Sequence, residues 1–153
     1  MTIDRDPERN PQHLSPDEVA RIVGEKMYAN DLASQGLGMK ILDIGPGTAT
    51  LAMTVRESML NGLQICHGGF ITALADSTFA FACNSHNEMT VAAGITVDFL
   101  APARAGDLLT ATAVEVSLAG RTGVYDVLVV NQDGDHVAVL RGRSHRIKGK
   151  PSV

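Results

Sequence analysis

The sequence predicts an α+β domain in which a long, curved antiparallel sheet wraps around one central helix. Residues 67–85, HGGFITALADSTFAFACNS, are apolar nearly all round over a helical length, so the helix they form must be buried on most sides. Apart from an N-terminal helix, the other regular stretches alternate with a period of two and are joined by turns or short connectors. No further helix is left to cross between parallel neighbours, so the strands must pair antiparallel. A helix this apolar beside one such sheet is best buried when the sheet curls around it.

With 153 residues, 44% hydrophobic and 20% charged, the chain has the size and composition of a single domain with its own core. A formal net charge of -4 argues against general nucleic-acid binding, which needs a strongly basic face to displace phosphate counterions. Cys66 and Cys83 have neither metal-site spacing nor the density of a disulfide scaffold, so a reducing cytoplasm is the expected setting. Residues 1–18 are polar and charged, without the apolar core of a secretory signal. The run from Gly68 to Cys83 is shorter than a bilayer span and carries Asp76 near its middle, so no membrane association is expected.

Residues 1–14 have little to bury and are expected to form a flexible tail, leaving residues 15–153 as the single domain. Ser15-Pro16-Asp17-Glu18 reads as a helix start, with an N-cap serine, proline at the first helical position and glutamate at the third. Val19, Ile22, Val23 and Met27 continue at helical spacing, and the helix is expected to run to about Gly36. Met39–Ile44 and Thr48–Arg56 then alternate as strands about a Pro46-Gly47 hairpin turn, in which proline fixes one dihedral and glycine takes the positive φ. Gly45-Pro46-Gly47 is no nucleotide loop, because no P-loop lysine follows and strands flank it on both sides. Glu57–Cys66 is a connector containing Asn61-Gly62. After the central helix come strands at Val91–Leu100, Leu108–Leu118, Gly123–Asn131 and His136–Ile147, separated by turn-forming residues.

Two groups on the central helix stand out chemically. Gly68-Gly69 opens it, and the free N–H groups and positive dipole end of a helix start can hold an oxyanion, although an isolated HGG is more often a plain tight turn. Asp76 shifts that balance, because an acid inside an apolar helix has either a specific partner or the raised pKa that suits a base or nucleophile. Eight residues separate Gly68 from Asp76, roughly 12 Å along a helix. One reacting carbonyl therefore reaches both only if two copies set their helices side by side and antiparallel, as in a twofold dimer. Cys66-His67 resembles an activated thiol, but no third orienting group is evident and buried thiols are the simpler account. His13, His67, His86, His136 and His145 lack metal-ligand spacing, so no metal site is expected. Arg141, Arg143, Arg146, Lys148 and Lys150, joined by Arg104 and Arg121 from turns, form either a solvated edge or a clamp for a ligand's phosphates.

Asn61-Gly62, His67-Gly68-Gly69 with Leu74-Ala75-Asp76, Thr96-Val97-Asp98-Phe99-Leu100 before Pro102, and Gly142-Arg143-Ser144-His145-Arg146 together form a recognisable pattern. It resembles the hotdog-fold acyl-CoA thioesterases, most closely the phenylacetate-degradation (PaaI) type, over about residues 27–149. The resemblance implies the hotdog fold, pairing into homodimers through continuous sheets, and commonly homotetramers. Position by position it implies that Asp76 is the catalytic acid, that Gly68 supplies the oxyanion-hole amide, and that Asn61 and His67 orient water or the thioester carbonyl. Gly69 belongs to the same helix start, and the CoA contacts would fall near Gly94, Phe99, the Gly120-Arg121-Thr122 turn and Arg146. Some related aryl-CoA enzymes have a threonine one turn after the acid, where this chain has Ala80. The expected activity is hydrolysis of an arylacetyl-CoA, with CoA as part of the substrate and no separate cofactor. Phe70, Phe79, Phe81, Met53 and Met59 are candidates to line an apolar acyl pocket, though core packing explains them equally well. Two alternatives are a non-catalytic acyl-CoA sensor and an enoyl-CoA hydratase on the same fold. The second would want an Asp and a His together after the helix, and His86 lies ten residues beyond Asp76.

Overall fold

The computed structural model describes residues 13–153, so the expected N-terminal tail lies outside the described residues apart from His13 and Leu14. Helix α1 (Pro16–Asn30) starts on the anticipated capping box: Ser15 Oγ accepts from the Glu18 N–H at 3.2 Å, and Glu18 Oε2 accepts from the Ser15 N–H at 2.8 Å. The helix expected to reach Gly36 is instead broken at Asp31. The Asp31 carboxylate accepts from the Ser34 N–H at 2.9 Å and the Ser34 hydroxyl at 2.6 Å, which caps a second short helix, α2 (Leu32–Gly36). Ser34 is buried and lies 2.9 Å from the Ser77 hydroxyl, so the break turns α2 onto the central helix, α3 (Gly68–Asn84).

Strands β1 (Lys40–Gly45) and β2 (Thr48–Thr54) meet at Pro46-Gly47, where Gly47 has φ +72° as the turn requires. β2 stops before Arg56: Val55 still donates to the Asp107 carbonyl at 2.8 Å, in the β2–β4 register, but its carbonyl accepts from Gly106 at 2.8 Å, where the turn before β4 begins. The connector holds one short 3-10 turn at Glu57–Met59. After α3 come β3 (Thr90–Phe99), β4 (Leu108–Ala119), β5 (Thr122–Val130) and β6 (His136–Arg146). All six strands pair antiparallel in one sheet of order β1-β2-β4-β5-β6-β3, the architecture expected of a hotdog fold. Register shifts within β1, β3, β4 and β5 break the ladder locally and add the bends that let the long strands curl around α3. No helix among the described residues is long and apolar enough to cross a membrane.

The core lies between α3 and the concave face of the sheet, where Leu74, Phe79 and Phe81 meet Ala111, Val127 and Leu140. The helix sits close because glycine occupies the contact point: a Cβ on Gly142 would come within 2.8 Å of the Phe79 ring. Gly68, at the other end of α3, lies against Phe99, and Gly142 pairs with Ile95, so α3 runs antiparallel to β3. β3 is an outer strand of the sheet, with Val91, Ile95 and Phe99 exposed along it.

Gly142→Ala is expected to destabilise the fold by about 1–3 kcal/mol through overpacking against Phe79. Gly36→Ala, in a helix with no atom within 4 Å of the new methyl, should be neutral or slightly stabilising. Thermal melts of the two variants beside the wild type check the contrast.

Candidate active site

The start of α3 is held by its connector. Leu60 bridges Cys66, the Cys66 N–H donates to the Ala103 carbonyl at 2.8 Å, and the His67 N–H donates to the Met59 carbonyl at 2.8 Å. Asn61 folds its own loop, its Oδ1 accepting from the Leu63 N–H at 2.9 Å and the Ile65 N–H at 3.4 Å. That leaves the Asn61 Nδ2 donor uncommitted among the described residues. His67 is the N-cap, its Nδ1 accepting from the Gly69 N–H at 2.9 Å, which places the proton of the neutral imidazole on Nε2. The Gly69 amide is therefore occupied. The Gly68 N–H has no hydrogen-bond partner among the described residues, and it points out of a helix start where the dipole favours negative charge.

Asp76 lies two turns along the same helix. Leu74, Ala75, Thr78 and Phe79 around it are buried, whereas Gly69, Ala73, Asp76 and Ala80 form a less buried stripe of small residues with the carboxylate in its middle. Asp76 makes no hydrogen bond or ion pair among the described residues. Partial burial raises its pKa above the ordinary aspartate range. Burial also pushes the Cys83 thiol up to about 12, with Asp76 adding to the shift, and raises Cys66. Neither cysteine is the activated thiol that Cys66-His67 suggested.

The remaining expected site residues fall in three places. Asn61, Gly68 and Phe99 line one pocket of roughly 530 Å³, together with Ile65, Ile71 and Leu100. Gly94 lies midway along β3 beneath the Arg143 guanidinium, where a Cβ would come within 2.5 Å of Nη2. Gly120, Arg121 and Arg146 meet Lys148 and Lys150 in a basic notch of about 380 Å³, and Thr122 begins the strand beside it. Arg121 donates from Nε to the Arg146 carbonyl at 3.1 Å, and Arg146 pairs with Glu88. The suspected clamp is thus narrower than the run of basic residues, because Arg141 pairs with Asp126 and Arg143 covers Gly94. Phe79, Phe81, Met53 and Met59 are at most 1% exposed and belong to the core, and none of them lines the pockets described above. His86 is bonded to Glu115 at 2.9 Å rather than placed beside Asp76, which removes the pairing a hydratase would want. The pocket walls Ile65, Ile71 and Leu100 escaped the sequence reading, since nothing in an apolar residue type separates a pocket wall from core.

The curled antiparallel sheet around one central helix agrees with the comparisons to known proteins. The thioesterase superfamily model matches residues 63–138. The acyl-coenzyme A thioesterase PaaI of Escherichia coli is 50% identical over 123 residues, covering 80% of this chain and 88% of that protein. The solved structure of the E. coli PaaI protein from the phenylacetic acid degradation operon superposes with a TM-score of 0.87 at 47% identity, covering 89% and 99% of the two chains. A solved variant of the phenylacetic acid degradation protein PaaI from Thermus thermophilus gives 0.74 at 41% identity, covering 76% and 100%. The chain belongs to the thioesterase superfamily. Within it the chain is PaaI-like, and it is a thioester hydrolase.

The raised pKa of Asp76 sets the sign of its effect on stability. The folded chain holds the proton more tightly than the unfolded one, so the stabilising contribution is complete below the unfolded value and is lost as pH rises through the folded value. At neutral pH the ionised carboxylate is a cost. Asp76→Asn is expected to melt above the wild type at pH 7, by roughly 1–3 °C, and level with it below about pH 4. Melts at the two pH values test this without reference to activity.

Proposed function

We propose that the chain hydrolyses acyl-CoA thioesters, with an arylacetyl group, phenylacetyl or a ring-hydroxylated relative, as the favoured acyl portion. The observation that carries this reading is a pair of groups on one helix, the Gly68 N–H and the Asp76 carboxylate, that have no hydrogen-bond partner among the described residues. The names borne by the E. coli and T. thermophilus relatives support the acyl group. In this reading the Gly68 amide holds the thioester oxygen as charge develops on it, and Asp76 acts as general base on water or as nucleophile. A new C–O bond forms at the acyl carbon, the C–S bond breaks, and CoA leaves as a thiolate stable enough to need no strong acid. Asn61 Nδ2 and His67 Nε2 are the donors nearest the helix start, and they take over the orienting role for which Ala80 has no hydroxyl.

Because the two groups lie about 12 Å apart along α3, the reading requires a twofold dimer in which one copy provides Gly68 and the other Asp76. The unpaired outer edge of β3, with Val91 and Ile95 exposed, supports a partner that continues the sheet. Since α3 runs antiparallel to β3, such pairing also sets the two α3 helices antiparallel. The homotetramer belongs to the same proposal: the convex face carries a shallow apolar trough of about 640 Å³ near Val114, Leu128 and Val139. The Arg141–Asp126 ion pair borders it. A reducing cytoplasm suits two free thiols, and no cofactor beyond the CoA of the substrate is invoked.

Thiol release from phenylacetyl-CoA is expected to fall at least about a hundredfold in Asp76→Asn and Asp76→Ala. The wild-type kcat/KM should fall on the acid side with a midpoint above the ordinary aspartate range. Wild-type rates in a folded Asp76→Asn would sink the carboxylate's role, and saturable ester binding without turnover by the wild type would favour the sensor. Single-turnover hydrolysis in isotope-labelled water separates the two mechanisms, since only an anhydride route labels Asp76. Co-expression tests the dimer: Asp76→Ala and Gly68→Pro, each inactive alone, should recover about a quarter of wild-type activity when mixed, because half of the pairs hold one intact site. No recovery in dimers shown to be mixed rejects the shared site.

A further inference from the structure

We infer that Phe99 recognises the acyl group rather than the CoA arm, and that it sets a preference for aromatic over aliphatic acyl chains; this rests on the acyl-CoA reading above. Phe99 ends β3 and is 55% exposed, yet its ring has a fixed seat. It lies against Gly68, where a Cβ would come within 2.8 Å of the ring. Glycine at the first position of α3 thus does two things: it frees a backbone N–H for a ligand, and it makes room for an aromatic wall beside that N–H.

Asn61 and Gly68 line the pocket that Phe99 shares with them, and Ile65, Ile71, Leu100 and Pro102 make most of the rest of its lining apolar. A thioester carbonyl held at the Gly68 N–H sends one of its two substituents along that apolar lining. The CoA arm fits poorly there, because its amides and phosphates would lose water without gaining hydrogen-bond partners. The basic groups suited to those phosphates gather near Arg146, which pairs with Thr90, whereas Phe99 pairs with Ala138. Nine residues of extended strand separate the two places, about 30 Å. The acyl group is therefore the substituent that meets Phe99. An aryl ring gains an edge or offset contact with the phenyl ring beyond the area it buries, and an alkyl chain does not. The wall is stiff, since the Leu100 N–H donates to the Val137 carbonyl at 2.8 Å and Ala103 accepts from the Cys66 N–H at 2.8 Å.

The test compares kcat/KM for phenylacetyl-CoA and hexanoyl-CoA in the wild type, Phe99→Leu and Phe99→Tyr, together with inhibition by free CoA. The phenylacetyl-to-hexanoyl ratio is expected to fall roughly three- to tenfold in Phe99→Leu and to be retained in Phe99→Tyr. The inhibition constant of free CoA should stay at its wild-type value in both. An unchanged ratio in Phe99→Leu overturns the inference while leaving the acyl-CoA reading intact. Equal losses on both esters with weakened CoA inhibition also overturn it, because they place Phe99 on the CoA arm. A wild type that releases thiol from no acyl-CoA removes the acyl-CoA reading, and this inference with it.

Discussion

Asp76 is a carboxylate on a helix that a sheet encloses, and no hydrogen bond among the described residues offsets its loss of water. The rest of the fold is organised so that this cost stays local. Around α3, Leu74, Phe79 and Phe81 are completely or almost completely buried, each contributing on the order of 1.5–3 kcal/mol. Along the strip that holds Asp76, Gly69, Ala73 and Ala80 are too small to crowd the carboxylate. A partly exposed acid is tolerable because the buried residues of the same helix supply the cohesion. Gly142 makes that cohesion possible by letting the Phe79 ring approach the sheet.

Much of this was legible in the amino-acid order because the decisive signals are local. The capping box at Ser15, the left-handed turn at Gly47 and the alternation of the long strands each depend on residues close in sequence. The same holds for the Gly68–Asp76 spacing, which is a property of helix geometry and needs no tertiary information. The break at Asp31 was missed for a different reason. Asp31 and Ser34 read as ordinary exposed helix residues until the Ser77 hydroxyl, 43 positions away, gives the buried Ser34 a partner.

What residue type leaves open is which side of an element faces what. Residue type marks Phe79, Phe81, Met53 and Met59 as apolar, but the curl of the sheet decides that all four fill the core and that the pocket wall comes from Ile65, Ile71 and Leu100. The basic run near the C-terminus leaves the same question open. Alternation along β6 sends Arg141 to Asp126 and Arg143 over Gly94, and only where the strand ends do Arg146, Lys148 and Lys150 turn together with Arg121. A count of positive charges cannot see that division, whereas a strand register can.

Strand length then explains why a single copy looks incomplete for the proposed reaction. The free amide and the basic notch stand at opposite ends of the β3–β6 ladder, and nothing in one chain bridges the interval. In the proposed dimer the offset between Gly68 and Asp76 displaces the partner along the strand by the same amount, which brings the partner's notch about 12 Å nearer the carbonyl than the chain's own. One offset along one helix therefore settles two distances, from amide to carboxylate and from thioester to phosphates. The proposed oxyanion donor and carboxylate share one regular helix, α3, which suits groups that must keep a fixed relation, whereas the notch is built mostly from the turns at Gly120-Arg121 and Lys148-Gly149.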